Sequence, residues 1–249
     1  MLAHRSPDAA GAASPHASRH PGWCGLVVVV LVALASACSQ DGSATFDSAR
    51  YVANALAPRP ATELSKSPLD PRFRYLRVQV VHGTPALLVL GYVDPHPMGP
   101  IEVWYSASGE VLKLQNGRVV ATQGLTLDWP RTRFESTPIP WQDIDGSGSI
   151  YARIRDEIPR YRYGLRETVL VRPAEKIPTF EPSSAQGFTH PQRYRWFQEV
   201  VQGAQSVSST NWFALGVHRG MQVIVFSEQC LAPAQCLSIQ PWPLDEGGL

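Results

Sequence analysis

The dipeptide Asn116-Gly117 lies between two strand-like runs, Glu110 to Gln115 and Arg118 to Gln123. Both of its residues tolerate the positive φ of a type I′ turn, which makes it the strongest short-range signal for a β-hairpin. A turn at Ser108-Gly109 joins this hairpin to Ile101 to Ser106, giving an antiparallel meander. Upstream, the apolar and β-branched runs Arg74 to Val81 and Pro85 to Tyr92 flank His82-Gly83-Thr84 as a second hairpin. Further strands are expected at Tyr151 to Arg155, Arg166 to Arg172, Tyr194 to Gln202, Asn211 to Val217, Gln222 to Glu228 and Leu237 to Trp242. No strand alternates with a long helical pattern, so a parallel α/β core is excluded. With 19 Gly and 22 Pro, the chain has the turn residues such a sheet needs and too many breakers for a helical bundle. The expected fold class is all-β: an antiparallel curved sheet, a half-barrel or open barrel meander, with a short N-terminal helix at Phe46 to Leu56.

The first 37 residues are of another kind. A polar stretch with His4, Arg5, Arg19 and His20 precedes the apolar run Gly25 to Ala35. A membrane-spanning helix needs roughly 20 apolar residues. This run is shorter and fits the h-region of a secretory signal. Leu34-Ala35-Ser36-Ala37-Cys38 resembles a bacterial lipobox, with Ala35 where such motifs usually carry Leu. Residues 1–37 are therefore expected to be a lipoprotein-type signal peptide, and Cys38 the lipidation site. Ser39 after the cysteine, with no Asp there, resembles the signal for outer-membrane delivery. The alternative is a soluble secreted protein cut after Ala35 or Ala37. Residues 38–71 would form a lipid-anchored tether carrying the short helix, and 72–249 a single antiparallel β domain. Roughly 210 mature residues suffice for one domain that buries about 70% of its unfolded surface.

Composition narrows the function classes. The 22 basic and 21 acidic residues leave a formal charge of +1, without the basic surplus that a nucleic-acid partner requires. A hydrophobic content of 44% argues against disorder. Cys24 leaves with the signal, so Cys230 and Cys236 remain as a pair bracketing a short loop between strands. In an oxidising compartment they are expected to form a structural disulfide clipping a hairpin.

Catalytic signatures are absent from the sequence: no G-x-S-x-G, H-E-x-x-H, phosphate-binding Gly loop or dinucleotide fingerprint occurs. His82, His96, His190 and His218 stand beside Gly, Pro or Arg and read as turn residues. The run Asp143-Ile144-Asp145-Gly146-Ser147-Gly148 imitates the start of a calcium loop, but Ile154 stands where the closing bidentate Glu is needed. Asp143 and Asp145 are thus a weak metal candidate, with a Gly/Ser turn as the simpler reading. No cofactor is expected.

Arginines interleave with aromatics in Arg160-Tyr161-Arg162-Tyr163 and Arg193-Tyr194-Arg195-Trp196-Phe197. On a strand, period two sends the two types to opposite faces. Exposed rings could stack on sugars while arginines meet acidic groups, or the rings could be buried under a solvated arginine face. Arg160, Arg162, Trp104 and Trp196 are the candidate polysaccharide contacts.

Tyr75-Leu76-Arg77-Val78, Leu87 to Asp94 (LLVLGYVD), Trp104 to Gly109 (WYSASG) and Asn116 to Leu125 (NGRVVATQGL) resemble, in that order, the YjbF/GfcB family of group 4 capsule polysaccharide lipoproteins. The resemblance covers residues 38 to 128 well, and Asn211-Trp212-Phe213 is similar to a late family motif. It implies a non-catalytic outer-membrane lipoprotein that assists assembly or export of capsule or exopolysaccharide. The implied partners are the outer membrane through the lipid anchor, and the polymer or its export machinery. The competing expectation is a periplasmic lipid or lipoprotein carrier with a half-barrel resembling LolB and an apolar cavity. A third reading, a carbohydrate-active enzyme, would use acids such as Asp143 or Glu167.

Overall fold

The computed structural model describes residues 68–180, 185, 188–203 and 206–244. The expected signal segment, Cys38 and the helix at Phe46 to Leu56 lie outside them. Among the described residues, twelve strands form one antiparallel sheet. They are β1 (Tyr75–Val80), β2 (Ala86–Asp94), β3 (Ile101–Ser106), β4 (Val111–Gln115), β5 (Arg118–Gln123) and β6 (Thr132–Phe134). Then come β7 (Ser149–Glu157), β8 (Arg162–Pro173), β9 (Arg195–Gly203), β10 (Ser206–His218), β11 (Met221–Ala232) and β12 (Gln235–Trp242). Their lateral order is β5-β4-β3-β2-β1-β12-β11-β10-β9-β8-β7-β6. Every neighbour follows in sequence except β1 against β12, where the two meanders join. The all-β antiparallel expectation holds. Strand β6 had no sequence signal: three residues are too few to show period two.

The expected turn at Asn116-Gly117 has φ of 50° and 78°, both in the left-handed region. Gly117 is required twice over. A Cβ there would stand 2.7 Å from Cγ1 of Ile224 on β11, so the hairpin tip packs directly against a strand from the other half of the sheet. Cys230 and Cys236, paired in register on β11 and β12, are joined by a disulfide.

The sheet curls until its edges meet. Thr122 of β5 donates its backbone N–H to Trp129 O at 2.8 Å, while Asp128 and Ile158 exchange both backbone hydrogen bonds. The Asp128 carboxylate accepts from Thr122 Oγ1 and the Gly124 and Leu125 N–H groups, fixing the loop that carries the chain from β5 to β6. Two glutamines act as surrogate neighbours for this edge. Gln229 of β11 accepts from Val119 N–H and donates to Gly117 O. Gln235 of β12 accepts from Leu127 N–H and donates to Leu127 O. Buried backbone groups need partners, and here side-chain amides supply what a missing strand would have given.

Alternation divides the buried residues. Inner positions build one apolar cluster around Leu76, Leu88, Trp104, Leu114, Leu237 and Ile239. A second gathers Trp141, Tyr151, Val169, Phe197, Phe213 and Leu215. Adjacent Ala214 points the other way, joining Trp196 and Phe226 in an outer cluster with Phe180 and Phe188 from the segment between β8 and β9. Each fully buried large side chain contributes about 1.5–3 kcal/mol.

Gln229→Leu should lower unfolding free energy by roughly 2–6 kcal/mol, because it orphans the Val119 N–H and Gly117 O at about 1–3 kcal/mol each. Denaturant titration measures this, and a loss under 1 kcal/mol would refute the surrogate-strand account.

Candidate functional site

Period two turns Tyr151, Arg153, Arg155 and Glu157 of β7 inward, together with Glu167 of β8 and Glu199 of β9. Two buried ion-pair groups result. Glu167 accepts from Arg153 Nε at 2.8 Å and Arg155 Nε at 2.7 Å, and Arg155 Nη1 also donates to Glu157. Glu157 extends the series outward to Arg162 at 2.7 Å. In the second group, Arg118 of β5 donates through Nε to Glu199 Oε1 at 2.7 Å, and Tyr151 Oη donates to the same oxygen at 3.1 Å. The guanidinium of Arg118 lies 3.8 Å from the centroid of Trp141, while those of Arg153 and Arg155 lie over Trp129 at 4.9 and 4.6 Å.

Burial pushes the Glu167 carboxyl up, but the charges and hydrogen bonds of Arg153 and Arg155 outweigh it and hold it below the ordinary range. For Glu157 burial again acts upward, and the hydrogen bonds of Arg162 and Arg155 win. Burial lowers Arg118, whereas Glu199 and Tyr151 raise it further, leaving it firmly charged. Burial and the neighbouring Glu199 push the Tyr151 phenol far up, so it remains a proton donor at any physiological pH. All three glutamates are engaged by arginines. Glu167, the acid named for an enzymatic reading, is held by two guanidiniums.

Beside the second group, a cavity of about 530 Å³ opens between the two inner clusters. Its floor is apolar, formed by Leu76, Leu114, Leu215, Ile224 and Ile239, and its walls include Arg118, Trp104 and Trp141. The rim carries Met98 and Ile139 from loops, Met221 at the start of β11 and Trp242 at the end of β12, and the lining also includes Arg74, Glu102 and Arg219. Two wall residues hold buried donors without an acceptor, Arg118 Nη2 and Trp104 Nε1. A buried donor left unpaired costs about 1–3 kcal/mol, so such groups call for an explanation.

The structure corrects part of the expected contact set. Trp104 and Trp196 are only 2% and 5% exposed. Trp104 belongs to an inner cluster, and Trp196 lies under Phe180 and Phe188 with its indole N–H given to Pro191 O. Neither indole is placed to meet a polymer on the surface. Arg160 and Arg162 do reach the surface, in the turn after β7 and at the start of β8, where both pair with Glu157. Beside them stand two side chains absent from the expected set, Tyr161 in the turn and Tyr163 at the start of β8, which are 74% and 63% exposed. Asp145 spends its carboxylate on the Ser147 N–H and Oγ, the hydrogen bonds of a tight turn. Among the described residues no group of three or more His, Cys, Asp or Glu could hold a metal ion. His96, in the loop after β2, accepts at Nδ1 from Met98 N–H and lies 3.0 Å from the Gln115 side-chain amide of β4.

The buried charges were missed because sequence reading assigns arginines to the solvated face. A signal was present: Arg153, Arg155 and Glu157 share the parity of Tyr151, and Glu167 shares that of Leu165, Val169 and Val171.

Glu167→Gln should destabilise the protein by about 3–5 kcal/mol, since it leaves the buried guanidinium of Arg153 uncompensated and that of Arg155 with Glu157 alone. The folded carboxyls of Glu157 and Glu167 titrate below their unfolded value. Their contribution is therefore complete above the ordinary carboxylate range and is lost as pH falls through the depressed folded values. Thermal melts between pH 7 and 3 should show a steep acid loss that is blunted in the Gln variant; identical slopes would contradict the assignment.

The model of the family described as group 4 capsule polysaccharide lipoprotein gfcB, YjbF matches residues 50–240. Among solved structures, the hypothetical lipoprotein YmcC from Escherichia coli (K12) superposes with a TM-score of 0.54 at 16% identity, covering 74% of this chain and 94% of that one. At that identity the likeness shows a shared fold. A search of curated proteins returns no match. With 12 antiparallel strands in one sheet and a family match running from before β1 almost to the end of β12, the chain belongs to the YjbF group 4 capsule polysaccharide lipoprotein family.

Proposed function

We propose that this family member is a non-catalytic lipoprotein, anchored through Cys38 to the periplasmic face of the outer membrane, that assists assembly or export of a capsule or exopolysaccharide. The observation that carries this reading is the turn between β7 and β8. Tyr161 and Tyr163 present their rings to solvent there, and Arg160 stands beside them with 60% of its side chain exposed. Flat aromatic faces suit the C–H surfaces of sugar rings, and a guanidinium suits uronate or other acidic substituents. Glu157 below the turn ties Arg160 and Arg162 to the buried ion pairs, so the tip is held by the sheet's interior. The family's description supplies the polymer class. Engagement of the inner glutamates by arginine agrees with a binding role over hydrolysis, which needs an acid and a base with distinct freedom to transfer protons.

A second reading, a lipid or lipoprotein carrier, draws on the 530 Å³ cavity, whose volume falls within the range of small-ligand pockets.

Deletion of the gene should reduce secreted polysaccharide, and labelled acyl groups should enter the wild-type chain but not Cys38→Ser. Unchanged polymer in the deletion strain would overturn the export role. Tyr161→Ala/Tyr163→Ala should keep the melting behaviour of the parent, both rings being exposed. Each ring contributes about 0.5–1.5 kcal/mol, so affinity for purified polymer should fall at least about fivefold. Affinity electrophoresis against the polymer measures this, and equal retardation of parent and variant would remove the tip from the contact.

A further inference from the structure

We infer that residues 50–67, the stretch that leads into β1, dock along the outer face of β1 and β12 and cover a row of polar side chains there. They then belong to the β domain and not to a free tether. With the chain anchored through Cys38, residues 39–49 are left as the leash, at most roughly 40 Å of extended chain. That consequence rests on the proposed anchorage, whereas the docking does not.

Register identifies the face. Val78 pairs with Ile239 and Val80 with Leu237, and these four side chains pack in an inner cluster. Alternation therefore points Arg77 and Gln79 of β1 outward, opposite Gln240 and Ser238 of β12. Outward polar residues on a sheet ordinarily meet water, as Arg166 and Thr168 do on β8. Here all four are only 1–2% exposed. Ser238 Oγ is buried with no hydrogen-bond partner among the described residues. Arginine and glutamine are seldom fully buried, and on the outside of a sheet such burial requires a covering layer.

The path of the chain names the cover. Tyr75, outward by the same alternation, donates through Oη to Asp70 O at 3.3 Å and meets the Phe73 ring edge-on at 6.5 Å. The chain thus approaches β1 across the outer face, and the residues before 68 lead into it from that side. Even at helical rise, residues 50–67 span roughly 27 Å, more than the roughly 20 Å of β1.

Other covers fit less well. The segment between β8 and β9 lays Phe180 and Phe188 on Trp196 and Phe226, and Leu244 packs in that same outer cluster, on β9 to β11. The family match ends at residue 240 and leaves out the tail after Leu244, but it begins at residue 50, well ahead of β1 at Tyr75. A leash in water needs no shared pattern, whereas a segment fitted to a sheet face does. This one carries Tyr51, Val52 and Leu56 for apolar contact, and Asn54 and Thr62 as hydrogen-bonding groups for the polar row.

The experiment uses the full chain with Cys24→Ser and Cys38→Ser, the other two cysteines being held in their disulfide. Gln240→Cys supplies a covered thiol and, in a separate chain, Thr168→Cys an exposed one. Maleimide should label Gln240→Cys slowly, and at least tenfold faster once Tyr51→Asp/Val52→Asp/Leu56→Asp is added. Thr168→Cys should label equally in both backgrounds, with an unchanged circular dichroism spectrum. Oxidation should trap Gln240→Cys in an intramolecular disulfide with at least one of Ala53→Cys, Ala57→Cys and Ala61→Cys. Where the segment variant fails to fold, trapping decides alone. Unaccelerated labelling in a folded variant, or no trapping at the three alanine positions, would overturn the docking. So would trapping with Glu246→Cys in their place, which assigns the face to the C-terminal tail, or disulfide-linked dimers through Gln240→Cys, which assign it to a second copy. The chain is unacylated throughout, so these results are read separately from the acyl-labelling test of the anchor.

Discussion

A guanidinium taken out of water must find a carboxylate, and the interior of this sheet is arranged around that requirement. Desolvating an isolated charge costs far more than a domain's net stability, so each buried arginine fixes where a glutamate must be. Arg153 and Arg155 on β7 clamp one carboxylate of β8, and Arg118 reaches from β5 to β9 across the interior. The last contact spans strands that are far apart in the sheet order, and it can form only when the sheet has curled. Such pairs add little net stability against an apolar core of equal volume. They penalise every register in which a partner is displaced.

The seam is solved with the same economy of means. Strand β5 ends at an edge, and an exposed edge invites pairing with another chain. Here the edge is occupied by the loop through Asp128 and by the amides of Gln229 and Gln235, which pair like backbone. Between the two inner apolar clusters the packing leaves space, and that space is the cavity. Its unpaired donors are a consequence of using arginine and tryptophan as core residues: each brings more hydrogen-bonding groups than its neighbours can satisfy.

Two features then face different surroundings. The turn between β7 and β8 offers rings and cations outward, tied by Glu157 to the buried pairs. The cavity offers apolar walls and donors inward.

The sequence by itself determined the fold class, the antiparallel order of its hairpins and the family. These are written in local signals: Asn116-Gly117 admits one kind of turn, and alternation over five to nine residues admits one kind of element. It also named Arg160 and Arg162 at the surface. Only the tertiary structure decided which face of each strand is inside, because the Arg/Glu pattern of β7 has the same period whether it meets water or a partner. Trp104 and Trp196 went into cores, and Tyr161 and Tyr163 came out at a turn, for that reason. The seam and the cavity were invisible for a deeper one. They arise from contacts between residues more than a hundred positions apart, such as Val119 with Gln229 and Leu127 with Gln235, and no local pattern encodes a pairing that exists only after the sheet closes.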